Sequence, residues 1–410
     1  MKIFMICEFF DDRLDYQENM LARFYHRAGH EVLVVTSTIR SLNDYVSDRD
    51  HGMGERSEEL YDWGRLVRVP FRFNILHRIK PFEPLLPLIE SFDPDLLYFH
   101  DIIPNLTEGV RHVQAHPYCA MIMDYHGDAS NSGANWASRR ILHGVIRKHI
   151  LDRARPYLRR ILPVTPGCGE FLKNLYHVPE AEMELLPLGT DQLFAGEVLA
   201  SDARGRIRET LGITPDEFVI FTGGKLSPLK RTEELLSAVA TLGSLPVHVI
   251  VVGGTDSAHE DYAASIATLA AHNPRVHMVG WQERAGVYAH MAAADLAVFP
   301  ASQSVLWQQS LGMGLPLIVS ERAEGQRGVQ HVGYLNGYDN LIVLDPQQPF
   351  AEQIAEHVRR LALDRTLLAR MADGAKQTAA EILDYAAIAA RTIELCRRDA
   401  LPIARERTRG

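Results

Sequence analysis

The sequence predicts an α/β protein made of two doubly wound, Rossmann-like domains. Its 410 residues exceed what one compact core serves well, so two domains are the simplest division. Short, nearly continuous apolar runs alternate with longer amphipathic stretches, the pattern of parallel sheets covered on both faces. That rhythm runs through the first half of the chain and restarts in the second.

In the first half, Lys2–Cys7, Glu31–Thr36, Leu66–Val69, Asp95–His100, Cys119–Asp124 and Ile161–Thr165 read as buried strands. Helical patterns fall at Gln17–Ala28 and Asn105–Ala115. An Arg-rich one covers Trp136–Arg160 and is bent or broken at Pro156. In the second half the strands are Phe218–Thr222, Val247–Gly253, Val276–Val279, Asp295–Pro300 and Leu315–Ser320. The helices there are Thr232–Leu242, Ser257–Ala271, Arg284–Ala293 and Ser304–Met313. The segment Pro187-Leu188-Gly189-Thr190-Asp191 carries turn chemistry and closes the first unit. The expected division is 1–195, 196–375 and a C-terminal helical piece, 376–410, crossing back to the first domain. In that piece Ile382, Tyr385, Ala389, Ile393 and Cys396 make one apolar stripe. Arg405–Gly410 lacks apolar periodicity and reads as a frayed end.

Composition excludes several classes. A net charge of −9 leaves no global basic field for nucleic acid. Cys7, Cys119, Cys168 and Cys396 are far apart and form no CxxC pair, which argues against structural zinc or a disulfide framework. The apolar start meets Glu8 too soon for a signal peptide, and no apolar run is long enough to span a bilayer. The expected place is the cytoplasm. Residues Phe71–Phe82 and the Arg-rich stretch Arg139–Arg160 mix bases with bulky apolar side chains, so a peripheral contact at the inner membrane face is open.

Two loops carry candidate chemistry. Thr222-Gly223-Gly224-Lys225 through Lys230-Arg231 joins a strand to a helix. Glycine lets backbone approach a ligand, and Lys225 and Lys230 bracket the loop, as a diphosphate requires in the absence of a metal. The other reading is a tight turn with solvated lysines. Phe299–Val319 reads strand, polar loop, helix, glycine, proline, strand. Ser304 suits a helix N-cap at the ligand-binding end of a parallel sheet, and Gln309 suits ribose hydroxyls. An ordinary βαβ unit accounts for it equally. His126 stands between Asp124 and Asp128 near a strand end. Either carboxylate suits a general base in an inverting reaction. Asp93-Pro94-Asp95 reads as a turn rather than a metal-binding pair, and no His/Asp cluster has metal-ligand spacing.

The ordered set resembles the retaining glycosyltransferase family 4, of the GT-B fold. It comprises the Gly-Lys loop, Val251-Val252-Gly253-Gly254, Val276–Trp281, Tyr288, Ala293–Pro300 and Gly314-Leu315-Pro316. Gly29-His30-Glu31-Val32 and Pro187–Asp191 resemble the family's first domain, so the likeness spans nearly the whole chain. The resemblance implies two domains facing across a cleft and a nucleotide-diphosphate sugar as donor. It implies an acceptor that is a glycan, a lipid-linked sugar or a small molecule, and no metal cofactor. It implies that Gly224, Lys225 and Lys230 bind the diphosphate and that Gly280 and Trp281 border the base. The helix opened by Ser304 and Val305 points at the diphosphate, Gln309 faces the ribose, and His126 meets the transferred sugar.

Two departures stand out. The family's pair of donor-loop glutamates is missing: Gln309 replaces the second, and the first has no counterpart in a shortened loop. Asp15-Tyr16-Gln17-Glu18-Asn19 replaces the usual Gly-rich loop after the first strand, which leaves its carboxylates for the acceptor. A nucleotide-sugar epimerase, a phosphorylase or a non-catalytic nucleotide-sugar-binding partner are the rival readings.

Overall fold

A computed structural model describes residues 1–41, 44–45, 50–129, 132, 135–255, 258–321 and 331–397. Ser257, the expected start of one helix, and the end Arg405–Gly410 lie outside them. The chain divides into two compact units, one of Met1–Pro187 with Tyr385–Gly410 and one of Leu188–Asp384. Both boundaries differ from the sequence expectation of 195/196 and 375/376. Thr190 N–H donates to the Leu383 carbonyl at 2.7 Å, and Asp191 caps the helix Gln192–Ala200 and pairs with Arg284 at 2.7 Å. Those bonds fix 190–195 and 376–384 to the second unit.

The first unit holds β1 (Lys2–Ile6), β2 (Glu31–Thr36), β3 (Ser57–Tyr61), β4 (Gly64–Arg68), β5 (Leu96–His100), β6 (Ala120–Tyr125) and β7 (Ile161–Pro163). Their order in the sheet is β3-β4-β2-β1-β5-β6-β7, and every pairing is parallel except β3 with β4. Sequence reasoning missed β3 because Ser57-Glu58-Glu59-Leu60-Tyr61 has the charges of an exposed edge strand. Along β1, Ile3 and Met5 pack on one face of the sheet with Met20, Leu21, Phe24 and Tyr25 of the helix Gln17–Arg27. The helix Tyr385–Glu394 joins the same core through Tyr385, Ile388 and Ala389, and Tyr25 and Thr392 share a hydroxyl bond of 2.5 Å. Ile382 leaves the predicted stripe and packs in the second unit. The Arg-rich stretch is π-helical over Ser138–Arg147, α-helical over Lys148–Ala154 and ends in a 3-10 turn at Arg155–Tyr157, where Pro156 removes a donor.

The second unit holds β8 (Phe218–Gly223), β9 (Val247–Val252), β10 (Val276–Gly280), β11 (Leu296–Phe299), β12 (Leu317–Ser320) and β13 (Leu341–Leu344). The order β10-β9-β8-β11-β12-β13 is parallel throughout. Strand residues alternate between two cores. Phe218, Ile220, Val298 and Ile318 meet Leu235, Leu236, Ile354 and Val358, whereas Val219, Phe221, Phe299 and Val319 meet Tyr288, Met291, Trp307 and Leu311. Helices therefore cover both faces, and the apolar runs of the sequence follow from that.

Cys7, Cys119, Cys168 and Cys396 are all free and buried, and burial pushes the thiols of Cys119, Cys168 and Cys396 up to about 12. Among the described residues no helix is long and apolar enough to cross a membrane.

One carboxylate closes the amino end of the second sheet. Asp295 accepts from Arg208 at 2.9 Å, Arg204 at 2.7 Å and the Val219 N–H at 2.9 Å, and Arg208 is 4% exposed. Asp295→Ala leaves the Arg208 charge buried without its carboxylate. It should cost about 3 kcal/mol in urea unfolding; a loss below about 1 kcal/mol would show that the carbonyls around Arg208 suffice.

Candidate active site

In the second sheet, the chain turns in opposite directions after β8 and after β11, and these two strands are neighbours. That reversal leaves a crevice at the carboxyl ends of the strands, the place where doubly wound sheets bind ligands. The loops after β8, β9, β10 and β11 open there. The first three are laced together by backbone. Gly224 N–H donates to the Val252 carbonyl at 2.9 Å, Leu226 N–H to Gly254 at 2.8 Å and Gly253 N–H to Gly280 at 2.8 Å. Only glycine permits this at residue 253. Its φ is 147°, and a Cβ there would sit 1.9 Å from the Gly224 carbonyl oxygen.

Lys230 ties the β8 loop to the β11 loop. Its Nζ donates to the carbonyls of Ser302 at 2.8 Å and Gln303 at 3.3 Å. Among the described residues it has no carboxylate partner, and burial pushes its pKa from 10.5 down to about 8. Lys225 stands exposed on the same loop, Gly224 has φ 112°, and Trp281 is 70% exposed directly after Gly280.

Ser304 corrects the sequence reading. The helix runs Leu306–Gly312 with Val305 at its N-cap and no side-chain cap. The Ser304 carbonyl accepts from the Trp307 N–H at 3.1 Å, while its hydroxyl has no hydrogen-bond partner among the described residues. Gln309 is 6% exposed, and no hydrogen bond of its side-chain amide is formed among the described residues. Gln303 reaches the Tyr334 hydroxyl at 2.8 Å, a loop contact with no signal in the sequence.

The first unit brings together a second group. Register places His100, the last residue of β5, beside Asp124 on β6. Asp124 is fully buried. It accepts from the Tyr98 hydroxyl at 2.9 Å and the Asp101 N–H at 3.3 Å, with His100 Nδ1 at 3.0 Å and His126 Nε2 at 3.5 Å. On its other side His100 Nε2 stands 3.6 Å from Glu18. Burial opposes charge on both partners, but attraction wins: the carboxylates of Asp124 and Glu18 hold the His100 imidazole up at about 10, and the two imidazoles hold Asp124 well below the usual carboxylate range.

This geometry corrects two expectations. Asp124 has no exposed surface, so it positions the imidazoles instead of acting as base on an acceptor. A His/Asp cluster does form: His100, Asp124 and His126 each bring a ligand atom within 4.8 Å of the others. A proton held on His100 by two carboxylates competes with a metal for that centre. Asp128 is half-buried on the loop after β6. The segment Asp15–Asn19 is a loop only as far as Tyr16: Asp15 pairs with Arg23 at 3.3 Å, and Gln17, Glu18 and Asn19 open the helix and are buried, so this correction to the sequence reading leaves Glu18 facing His100. His100 was missed because a lone histidine ending an apolar run gives no signal until register pairs it with Asp124.

Two outcomes test these charges. Lys230 has a lower pKa folded than unfolded, so the unfolded chain binds more protons between about pH 8 and 10.5 and stability rises with pH across that window. Lys230→Met should remove that rise and stabilise the unliganded protein at neutral pH by up to about 3 kcal/mol, less what the freed Ser302 and Gln303 carbonyls lose. His100 acts with the opposite sign: its raised pKa adds stability that is full below 6.5 and lost as pH climbs through about 10. The difference between wild type and Lys230→Met, measured by urea unfolding at several pH values, cancels the His100 contribution. Asp124→Asn should cost about 3–5 kcal/mol and lower the His100 pKa in an NMR titration of its ring protons. An unmoved His100 titration would dissolve the proposed coupling.

Comparison with known proteins agrees with this layout. Residues 19–192 match the family described as Glycosyltransferase Family 4, and residues 217–364 match Glycosyl transferases group 1. A D-inositol 3-phosphate glycosyltransferase of Mycobacterium ulcerans is 28% identical over 46% of this chain and 37% of its own length. The chain spans well under half the length of the curated relatives it matches. Among solved structures, Anabaena HepE in complex with UDP superposes with a TM-score of 0.68 at 16% identity, covering 96% of this chain and 99% of that one. Sucrose-phosphate synthase from Thermosynechococcus elongatus gives 0.64 at 16%, over 96% and 98%. At such identity these structures speak for the fold. Taken with the two matched regions, they make this a chain of the GT-B fold that resembles glycosyltransferase family 4 and the group 1 glycosyl transferases.

Proposed function

We propose that this protein moves a sugar from a nucleotide-diphosphate sugar to an acceptor hydroxyl, with retention and without a metal ion. The setting we propose is the synthesis of a cell-surface polysaccharide or glycoconjugate at the cytoplasmic side of the membrane. One observation carries the donor site: Lys230, a largely dehydrated ammonium at the switch point of the second sheet, has no carboxylate to neutralise it among the described residues. An anion in that crevice supplies the missing charge. A diphosphate fits, because the glycines of three loops let backbone come close and Lys225 stands on the same loop. Trp281 and Gly280 border the base, the turn from Ser304 and Val305 faces the phosphates, and the Gln309 amide meets the ribose. As the sugar leaves, Lys225 and Lys230 stabilise the developing charge on the diphosphate.

On the acceptor side, His126 is the least buried member of its cluster and meets the transferred sugar, while Asp124 and His100 fix its orientation. In a retaining reaction the departing phosphate takes the acceptor proton, so no carboxylate base is needed in the first unit. Asp128 remains the accessible carboxylate should the reaction invert. The acceptor is a glycan, a lipid-linked sugar or a small molecule, and peripheral membrane contact belongs to the same reading.

The test is a thermal-shift series with UDP, GDP, dTDP and ADP on wild type and Lys230→Ala. A ligand that binds only the folded protein raises its melting temperature. One nucleotide diphosphate should raise it, and the variant should lose the shift. Affinity should also fall above pH 8, by about tenfold per pH unit as Lys230 loses its proton. No shift with any of the four would remove the donor site and favour a non-catalytic role.

A further inference from the structure

Two segments of the first unit expose apolar side chains beside arginines. The first is the hairpin 71–82, closed by bridges Phe71–Phe82 and Ile75–Ile79. At its tip Ile75 and Leu76 are 50% and 85% exposed. Leu76 and His77 have φ of 51° and 54°, a left-handed backbone that side chains disfavour, so the tip keeps a leucine where glycine would be easier. The second segment is the helix Ser138–Arg147 with Trp136 before it. His143 anchors its inner face through the Tyr176 hydroxyl at 2.6 Å. On the outer side Trp136, Ile141 and Val145 are each more than half exposed. Both segments belong to the first unit.

Charge marks the occupant. Residues 136–160 hold seven arginines and one lysine against Asp152 alone, 8 − 1 = +7, in a chain whose net charge is −9; within the segment Arg155 is paired with Glu182 and Lys148 with Asp152. The hairpin adds Arg72, Arg78 and Lys80 with no acid. Lys80 is buried and paired with Glu8 at 2.7 Å, but Arg72, Arg78 and Arg140 are exposed and have no ion pair among the described residues. Apolar wedges ringed by unneutralised guanidinium groups match a negatively charged lipid surface, where bulky side chains enter the headgroup layer and bases meet phosphates.

We propose that the tip of the 71–82 hairpin and the outer face of Ser138–Arg147 dock on an anionic bilayer. This deepens the peripheral contact proposed above and does not depend on the sugar chemistry. The experiment is co-sedimentation of the full chain with vesicles of phosphatidylcholine alone or mixed with phosphatidylglycerol. The chain should pellet with the mixed vesicles, much less with the neutral ones, and less again as salt rises. Two triple variants separate the contributions, Arg72→Gln/Arg78→Gln/Arg140→Gln and Leu76→Ser/Trp136→Ser/Ile141→Ser. Each should weaken partitioning about tenfold or more, whereas Leu60→Ser, on the exposed edge strand β3, should leave it unchanged. An unaltered nucleotide thermal shift in the variants shows that they fold. Equal pelleting with both vesicle types, no pelleting, or variants that pellet like wild type would overturn the proposal, as would concentration-dependent self-association abolished by the apolar variant in place of vesicle binding. Loss of the nucleotide response with vesicle binding intact would count against the donor site alone.

Discussion

A lysine that two loops hold partly out of water is the constraint on which the second unit's crevice depends. Lys230 could sit on the surface at no desolvation cost. Instead its ammonium crosses from the β8 loop to the carbonyls of Ser302 and Gln303, which fixes where the β11 loop lies. The neighbouring loops are held by backbone bonds through Gly224, Gly253 and Gly280, so they meet backbone to backbone. Stability has been exchanged for a pre-set positive charge in a low-dielectric place, where a charge interacts more strongly than in water.

The first unit solves the matching problem with the opposite sign. A carboxylate at full burial is tolerated only with enough donors around it, and Asp124 collects a phenol, a backbone N–H and two imidazoles. Glu18, on the far side of His100, extends the line of polar groups from the first helix to the loop after β6. Such a chain has few alternative arrangements, because moving one member strands its neighbour. His126, at the open end, is therefore presented in a defined direction.

Much of this was legible in the sequence. The parallel strands announced themselves because burial on both faces leaves no room for polar alternation, as Phe218–Thr222 and Val247–Val252 show. Lys230 and Gly224 stood out as a lysine and a glycine between a strand and a helix, and the structure puts both on the loop after β8. What escaped was set by register and by side-chain reach. His100 acquires meaning only beside Asp124, and the edge strand Ser57–Tyr61 carries charges that mask its periodicity. Ser304 has the composition of an N-cap, yet the helix begins later and leaves the hydroxyl without a partner among the described residues. The domain boundary was misplaced for a related reason: a turn such as Pro187–Asp191 shows where the chain bends, while the bonds of Thr190 and Asp191 decide which core it joins.

The burial of every cysteine has a consequence for how this protein can be handled. Thiols that are shielded from solvent and protonated near neutral pH are poor nucleophiles, so Cys7, Cys119, Cys168 and Cys396 should ignore maleimide reagents while the fold holds. The natural chain is thus a ready background for site-specific labelling. A cysteine placed at one exposed position in each unit would accept a fluorophore pair without first stripping out the native four, and the distance between units could be followed in solution as nucleotide is added.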